Sequence, residues 1–557
     1  MTKGVQMESE LLLDGFEGSV SALPPSIIPV VILSGSEYRM GYQYGQQAGL
    51  YIERQKNWDW VSALTLFRHD EVLHELRAYE WHLKKHMPEI LEMLRGIAEG
   101  ATDSGHKVSY EDVLLLNNDL RRPVPCGYPS DREIGDLACE GCTSWSAWGT
   151  TTADGRLICG SSADAPFAYQ VAIIAFPMEG NAYLSLAGAG QVSRVFSINA
   201  KGLFLGGSGG YGKRTIDFGY GIPRSCARAY LLRCADSAIE ARDLLFSLPL
   251  VSAYNLQLVD VTGNAFVCEV TAAIKTTRTS GDFEETNFIY STNNFFNAEM
   301  QAAIMGETFV KHGGWLGRSA TISAVQRNLE LWTMLHGYMG KIDLDFAKML
   351  WRFPGSPPPT PLDSAAHEAY FTTQGEGWDQ KICNLANSRV AIGLPDNAGE
   401  GLAYVCTGPA GRIAYPHVFD ICEHYYQVAG THSFYQLTLA SDPAAVVDAA
   451  QNAAHDYIAI AHNQFARLDY TDCRFSEIRK LYSLSNAEYY LGVNARNEGS
   501  LKAGDTSLFH FAQATTAFAR AQAHALEAYN ALVPPPSRPE DLGLEPYAEV
   551  FDQKDDG

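Results

Sequence analysis

The chain has 557 residues, 46% of them apolar and 19% charged, with a formal net charge of −22. That length exceeds one ordinary core, and that apolar content supports substantial burial. The acidic balance argues against a nucleic-acid surface, which needs basic patches, but leaves small substrates open, because a local pocket can oppose the global field.

The opening MTKGVQMESE has no basic segment followed by a long apolar run, so no secretory signal is expected. Ile27–Leu33 is the most apolar early stretch and is far short of a membrane span. Eleven cysteines are ordinary usage rather than a disulfide framework. They predict a cytoplasmic protein with reduced thiols, most of them buried as small hydrophobes. In SGSEYRMGYQYGQQAGLYIE, Gly41, Gly45 and Gly49 recur four apart. They mark either a helix face on which backbones approach closely or a helix weakened by glycine. No Gly-Lys-Ser/Thr follows, which argues against a phosphate loop.

Residues 61–99 read as helical, with Ile90, Leu91, Leu94, Ile97 and Ala98 three or four apart. Ser109 followed by Asp112 is close to a capping box. Residues 121–140 are polar and proline-bearing and read as an exposed connection, which ends directly at Gly141–Cys142. Short aliphatic and aromatic segments then predict strands, with turns at 154–156 and 261–265. A helix is expected over 224–246 and a helical region over 318–351. FPGSPPPTP at 353–361 reads as a linker or outer loop. Strands return over 388–416, and an alanine-rich helix is expected over 507–532 before a proline-rich, acidic tail.

Cys139 and Cys142 form a CxxC pair. A zinc site needs a second ligand pair, and a thioredoxin-like pair should open a helix, whereas TSWSAW after Cys142 prefers strand. His417, Asp420, Glu423 and His424 could ligate a metal, but a surface helix gives the same pattern, and His82 and His86 beside Lys84 and Lys85 fit a solvated face. With fifteen histidines, a Cys–His–Asn triad stays open on composition. Alternatively, a cysteine that is the first residue of a chain carries its own base. Its α-amine has a pKa near ~8, so no histidine is needed. Cutting Gly141–Cys142 would create one, and Gly141 offers an unhindered carbonyl. Trp145 and Trp148 are an odd number of residues apart, which puts them on opposite faces of a regular strand.

GCTSWSAW, DGRLICGSSAD, SINAKGL, STNNF and ICNLANSRVAIGLPDNAGEGLAYVCTG occur in that order. Together they resemble the self-processing penicillin acyltransferase-like hydrolases. These belong with the choloylglycine-hydrolase-like enzymes among the N-terminal nucleophile hydrolases. The resemblance covers roughly residues 30–420 and shows no family motif in about 430–557. It implies an α+β fold, a four-layer αββα sandwich with a helix-rich propeptide (1–141), a catalytic core (142–430) and a C-terminal part with a helical extension (431–557). It also implies autoproteolysis at Gly141–Cys142, with the two chains staying associated, and hydrolysis or acyl transfer at linear amides.

Carried over residue by residue, Cys142 resembles the nucleophile and Asp164 the aspartate that holds the free amine. Asn199 resembles an oxyanion or substrate-orienting residue, and Asn293 the asparagine near the amine. The family's late arginine matches either Arg327 or Arg318. Ser161-Ser162 stand where the family commonly has Arg-Asn or Gln-Asn, which removes a charged or amide neighbour of the nucleophile. No cofactor or metal is implied. The expected partner is a small-molecule amide, with no nucleic acid and no membrane, and homo-oligomerisation is left open. An unprocessed Cys–His hydrolase and a non-catalytic binding scaffold are the alternatives.

Overall fold

The short apolar run near the start is a strand, β1 (Val30–Gly35), in a computed structural model. It describes residues 28–118, 141–164, 169–210, 219–282, 285–301, 308–312, 315–319, 322–352, 382–383, 387–396, 400–407, 410 and 433–533. Ser36 ends the strand and caps α1 (Glu37–Leu66) by accepting the Arg39 N–H. Then come α2 (His69–His86), α3 (Pro88–Asp103) and α4 (Tyr110–Leu116), the last opened by the Ser109/Asp112 capping box. The recurrent glycines of α1 mark close approach. A Cβ on Gly41 would lie 2.1 Å from the Met93 carbonyl oxygen, and one on Gly100 would lie 2.0 Å from that of Tyr42. Each helical glycine costs about 1 kcal/mol relative to alanine, and here the cost is offset by backbone-to-backbone packing of α1 on α3.

Two large sheets follow. The first has eight strands in the order β1, β4 (Gln170–Pro177), β5 (Tyr183–Gly188), β6 (Phe196–Asn199), β7 (Leu203–Gly209), β8 (Tyr254–Asp260), β9 (Ala265–Val270), β10 (Lys275–Thr279). Only β1 and β4 pair in parallel within it. The second is antiparallel, in the order β11 (Phe288–Ser291), β2 (Gly141–Ala147), β3 (Ile158–Asp164), β15 (Asn387–Leu394), β16 (Leu402–Thr407), β17 (Tyr435–Thr438). A small third sheet joins β12 (Asn294–Phe295), β14 (Trp315–Ser319) and β13 (Thr308–His312).

Period-two alternation sorts the strand side chains. On β4, Val171, Ile173 and Ala175 pack against α1, α3 and the pair α5 (Arg224–Cys234) and α6 (Ala238–Ser247). Ala172 and Ile174 face the second sheet, whose Ala391, Ala403 and Val405 meet them. The outer face of the second sheet, through Trp145, Val390 and Ile392, packs on α7 (Ile322–Gly337) and α8 (Leu344–Arg352). The two sheets therefore face each other across one core, with helices outside each.

Three further helices, α9 (Pro443–Phe465), α10 (Phe475–Ser500) and α11 (Gly504–Leu532), follow β17. Phe511 and Phe518 of α11 close the intersheet core. The helix reaches both sheet edges, Thr516 Oγ1 accepting the Val30 N–H at 3.1 Å and Gln522 Oε1 the Gln436 N–H at 2.7 Å. Segments 1–141, 142–430 and 431–557 thus share sheets, since β1 comes from the first and β17 from the last.

Some expectations shift in detail. The helix expected over 224–246 is two helices, because Ser237 accepts the Glu240 N–H and starts α6. The helical region expected over 318–351 begins in β14 and is likewise split. Among the described residues, no helix is long and apolar enough to cross a membrane. The 121–140 connection with Cys139, the 353–361 linker, the cluster of His417, Asp420, Glu423 and His424, and the acidic tail lie outside the described residues.

Candidate active site

Cys142 is the second residue of β2, 9% exposed, with Ala163 opposite it on β3. Its side chain packs with Ala163 and Val195 on the intersheet face. Trp145 points the other way, fully buried and edge-on to Phe346. Trp148, just past the strand, packs toward the intersheet core near Gly263. The two tryptophans therefore take opposite sides, as their spacing predicts.

Two of the residues picked out by sequence meet at the backbone of Cys142, and a third stands beside them. Its N–H donates to Asn293 Oδ1 at 2.9 Å. Arg327, from α7, donates through Nη2 to the same oxygen at 2.9 Å, and through Nη1 to the Cys142 carbonyl at 2.6 Å and to Thr143 Oγ1 at 2.8 Å. Asp164 ends β3 directly opposite Gly141, with Oδ2 3.7 Å from Arg327 Nη1. Its other oxygen accepts from Asn387 Nδ2 and, at 3.5 Å, from Ser162 Oγ. Arg327 is 1% and Asp164 4% exposed, so their attraction is little screened.

The segment carrying Asn293 is fixed on several sides. Asn255 Nδ2 donates to the Thr292 and Asn294 carbonyls at 2.8 Å each, and Ser208 Oγ donates to that of Thr292. Asn294 Oδ1 accepts from Thr292 Oγ1 at 2.9 Å and from Asn328 Nδ2. The carboxylate of Glu269, whose pKa burial raises, accepts the Phe296 and Asn297 N–H groups at 2.8 and 3.0 Å. Such saturation holds an amide in one place without reorganisation.

Asn199 is not part of this arrangement. Its Nδ2 donates to the Leu232 and Ala235 carbonyls at 2.9 Å each, and its Oδ1 accepts the Lys201 and Leu203 N–H groups at 3.1 Å each. It ties the end of α5 to the β6–β7 turn, beside Leu203. Asn293 meets β7 at the opposite end, donating to the Gly209 carbonyl at 2.9 Å. Six residues of strand separate those ends by roughly 20 Å. The oxyanion role expected for Asn199 is therefore corrected to a backbone staple. Asn199→Ala strands three buried backbone groups and one part-buried, each buried one costing about 1–3 kcal/mol when unmade. Urea unfolding should show a loss of more than about 2 kcal/mol, while turnover per folded molecule stays within about twofold. A collapse of turnover in the folded variant would restore the catalytic assignment. Arg318 lies on β14, opposite Phe295 and Phe309, so the arginine seen on Cys142 is Arg327.

Residues 161–313 match the family model described as Acyl-coenzyme A:6-aminopenicillanic acid acyl-transferase. This segment is similar to that family. It holds Asp164, Asn199 and Asn293, while Cys142 and Arg327 flank it. A curated relative from Archaeoglobus fulgidus, described as an uncharacterized protein, is 29% identical over 187 residues. The match covers 31% of this chain, and the chain spans 31% of that relative's length. Among solved structures, a mutant of conjugated bile acid hydrolase from Clostridium perfringens shares 14% identity at a TM-score of 0.30, covering 48% of this chain and 89% of that one. Penicillin V acylase from Agrobacterium tumefaciens shares 13% at 0.25, covering 54% and 91%.

Two buried polar residues were missed by sequence reasoning. Asn387 opens β15 and pairs with Asp164. Its signal was the polar Asn-Ser-Arg run before an apolar strand. Arg228 sits inside α5, 2% exposed, where it reads as one polar position on an apolar stripe. It donates to the Gly206 and Leu205 carbonyls of β7 at 2.7 Å each. Burial, then Arg224, lowers its pKa to about 9, which leaves it charged at neutral pH.

Proposed function

We propose that the chain is a self-processing cysteine amidohydrolase or N-acyltransferase that cleaves a linear amide C–N bond through an acyl-Cys142 intermediate. The observation that supports this most is the nitrogen of Cys142 held on Asn293 Oδ1, with Arg327 on the same oxygen and on the Cys142 carbonyl. In the uncut chain that nitrogen is a peptide amide. It stands where the α-amine would be after cleavage.

For processing, Cys142 Sγ attacks the Gly141 carbonyl carbon, the Gly141–Cys142 C–N bond breaks, and the resulting thioester is hydrolysed by water. This leaves Gly141 as a carboxylate and frees the α-amine of Cys142. In turnover, the amine takes the thiol proton and the thiolate attacks the substrate's amide carbonyl. The proton then passes to the leaving nitrogen as the C–N bond breaks. Water or a second amine, deprotonated by the same α-amine, resolves the acyl-cysteine.

Asn293 orients the amine through its carbonyl oxygen. Asp164, held by Asn387, faces the cleaved peptide. Arg327 fixes Asn293 and the Cys142 backbone together. Main-chain N–H groups stabilise the oxyanion, at about 3 kcal/mol for a well-placed donor. The cut chains stay associated, because β1 and α1–α4 remain built into the first sheet and its helix layer.

Intact-mass analysis of the purified protein, paired with a screen of N-acyl amines, N-acyl amino acids and small peptides, tests this reading. Two chains divided between Gly141 and Cys142, with release of an amine from one substrate class, are expected. A single uncut chain with full amidase activity would overturn self-processing, and a cut chain inert on every class would overturn the amidase assignment.

A further inference from the structure

Strand β8 alternates its side chains between two faces. Tyr254, Leu256 and Leu258 pack toward the helices, so Asn255 and Gln257 face the second sheet. Gln257 Nε2 donates to Ser146 Oγ at 2.8 Å and to the Ile289 carbonyl at 3.3 Å, binding β2 and β11 where they pair. Strand β11 ends at Ser291. Beyond that point the chain leaves β2, and the first sheet supports it instead. Ser208 on β7, Asn255 on β8 and Glu269 on β9 are cross-strand partners in one register row. Their side chains take successive backbone groups of the departing segment. Ser208 holds the Thr292 carbonyl, Asn255 the Thr292 and Asn294 carbonyls, and Glu269 the Phe296 and Asn297 N–H groups. Asn293 lies between the two carbonyls that Asn255 holds, and its own Nδ2 donates to Gly209, the residue after Ser208.

Asn255 is the middle of that row and is 2% exposed. Its Nδ2 is committed to the two carbonyls, while its Oδ1 has no hydrogen-bond partner among the described residues. A buried acceptor left unbonded is costly. Turning the amide over would be worse, since it would set Oδ1 against two carbonyl oxygens. The side chain is therefore held in one orientation by the carbonyls on either side of Asn293.

We propose that Asn255 is a positioning residue that brackets Asn293 from the opposite sheet and so places Asn293 Oδ1 on the nitrogen of Cys142. The proposal rests on the reading of that nitrogen as the catalytic base, which it deepens. The nucleophile and the amide that orients its base then have separate supports. Cys142 belongs to the second sheet, Asn293 is seated by the first, and Asn255 sets the one against the other.

The test is hydrogen exchange at the residue-142 amide in a Cys142→Ala chain, resolved to single residues by mass spectrometry. It is run alone and combined with Asn255→Ala, Asn255→Asp or Ser208→Ala. In the uncut chain this amide donates to Asn293. Exchange needs neither cleavage nor a substrate, so it reads the placement even if the amidase assignment fails. Asn255→Asp keeps the shape but replaces the donors with an acceptor. Both Asn255 variants should speed exchange at residue 142 about tenfold. Residues 144–147, paired with β3 and β11 on either side, should keep their protection. With Cys142 present, kcat should fall about 10²-fold and KM stay within about twofold. Unchanged exchange at residue 142 in a folded Asn255 variant would overturn the proposal. So would uniform deprotection of β2, which marks a merely structural role, or an unchanged kcat in an active, folded Asn255 variant. Should neither Asn255 variant fold, Ser208→Ala decides, because it removes one bond to the same segment and leaves Asn255 in place. Faster exchange confined to residue 142 supports the proposal, and unaltered exchange overturns it.

Discussion

A Cys142→Ala chain should remain a single species of uncut mass and lose amide turnover by a factor of about 10⁴ or more. In the proposed reaction the thiol acts twice, on the Gly141 carbonyl and on each substrate, and alanine can do neither. The fold should survive. The Cys142 side chain packs with Ala163 and Val195, and removing one sulfur there leaves a small void costing about 1 kcal/mol. Cys142→Ser separates the two acts, since a hydroxyl is a far weaker nucleophile at neutral pH. Slow accumulation of cut chain, with turnover still below a hundredth of wild type, is expected. Intact mass over days and an amine-release assay measure both. If Cys142→Ala were cut and active at the wild-type rate, the nucleophile would have to be sought elsewhere.

The second large effect is expected at Arg327. Its guanidinium ties together the Cys142 carbonyl, Thr143 Oγ1, Asn293 Oδ1 and the side of Asp164. Arg327→Ala leaves the Asp164 carboxylate buried without its cation, a situation that costs about 3–5 kcal/mol. Arg327→Lys restores a charge but not the planar fork that bonds two nitrogens to three oxygens. Denaturant unfolding should therefore show a large loss in the alanine variant and partial recovery in the lysine one. Turnover should fall about 10²–10³-fold in both, because neither holds Asn293 and the Cys142 backbone in register. Wild-type turnover in a folded Arg327→Lys protein would reduce the arginine to a structural ion pair.

Residues carried by short, ordered motifs were the legible ones. Cys142, Asp164 and Asn293 each sit in such a motif, and the structure brings them together. Between Arg318 and Arg327, sequence offered no choice, because either arginine follows STNNF at a comparable distance. The choice is made by geometry, since α7 turns Arg327 onto Cys142. Asn199 misled because SINAKGL looks like a site motif, while its amide is consumed by four backbone groups. Asn387 lies within ICNLANSRVAIGLPDNAGEGLAYVCTG, a run that does not single it out. Its meaning comes from the β15–β3 register, a pairing 223 positions apart in the chain that no local pattern encodes. At the level of the fold, the glycine repeat left two readings open. The approach of α3 to α1 decides between them, and close approach is a tertiary fact.

The way β1 is held has a kinetic consequence. It is the edge of the first sheet, parallel to β4, and α11 grips it from the far end of the sequence through Thr516, while Asp505 pairs with Arg39 at 2.9 Å. If the Gly141–Cys142 peptide is cut, that edge strand and its helices become a separate molecule. Folding, a first-order event in the precursor, then turns second-order in the mature protein. The halves would re-form the sheet at a rate set by their concentration, and dilution after denaturation would be close to irreversible. If the proposed cut occurs, a protein of this build gets one favourable chance to fold, before the cleavage.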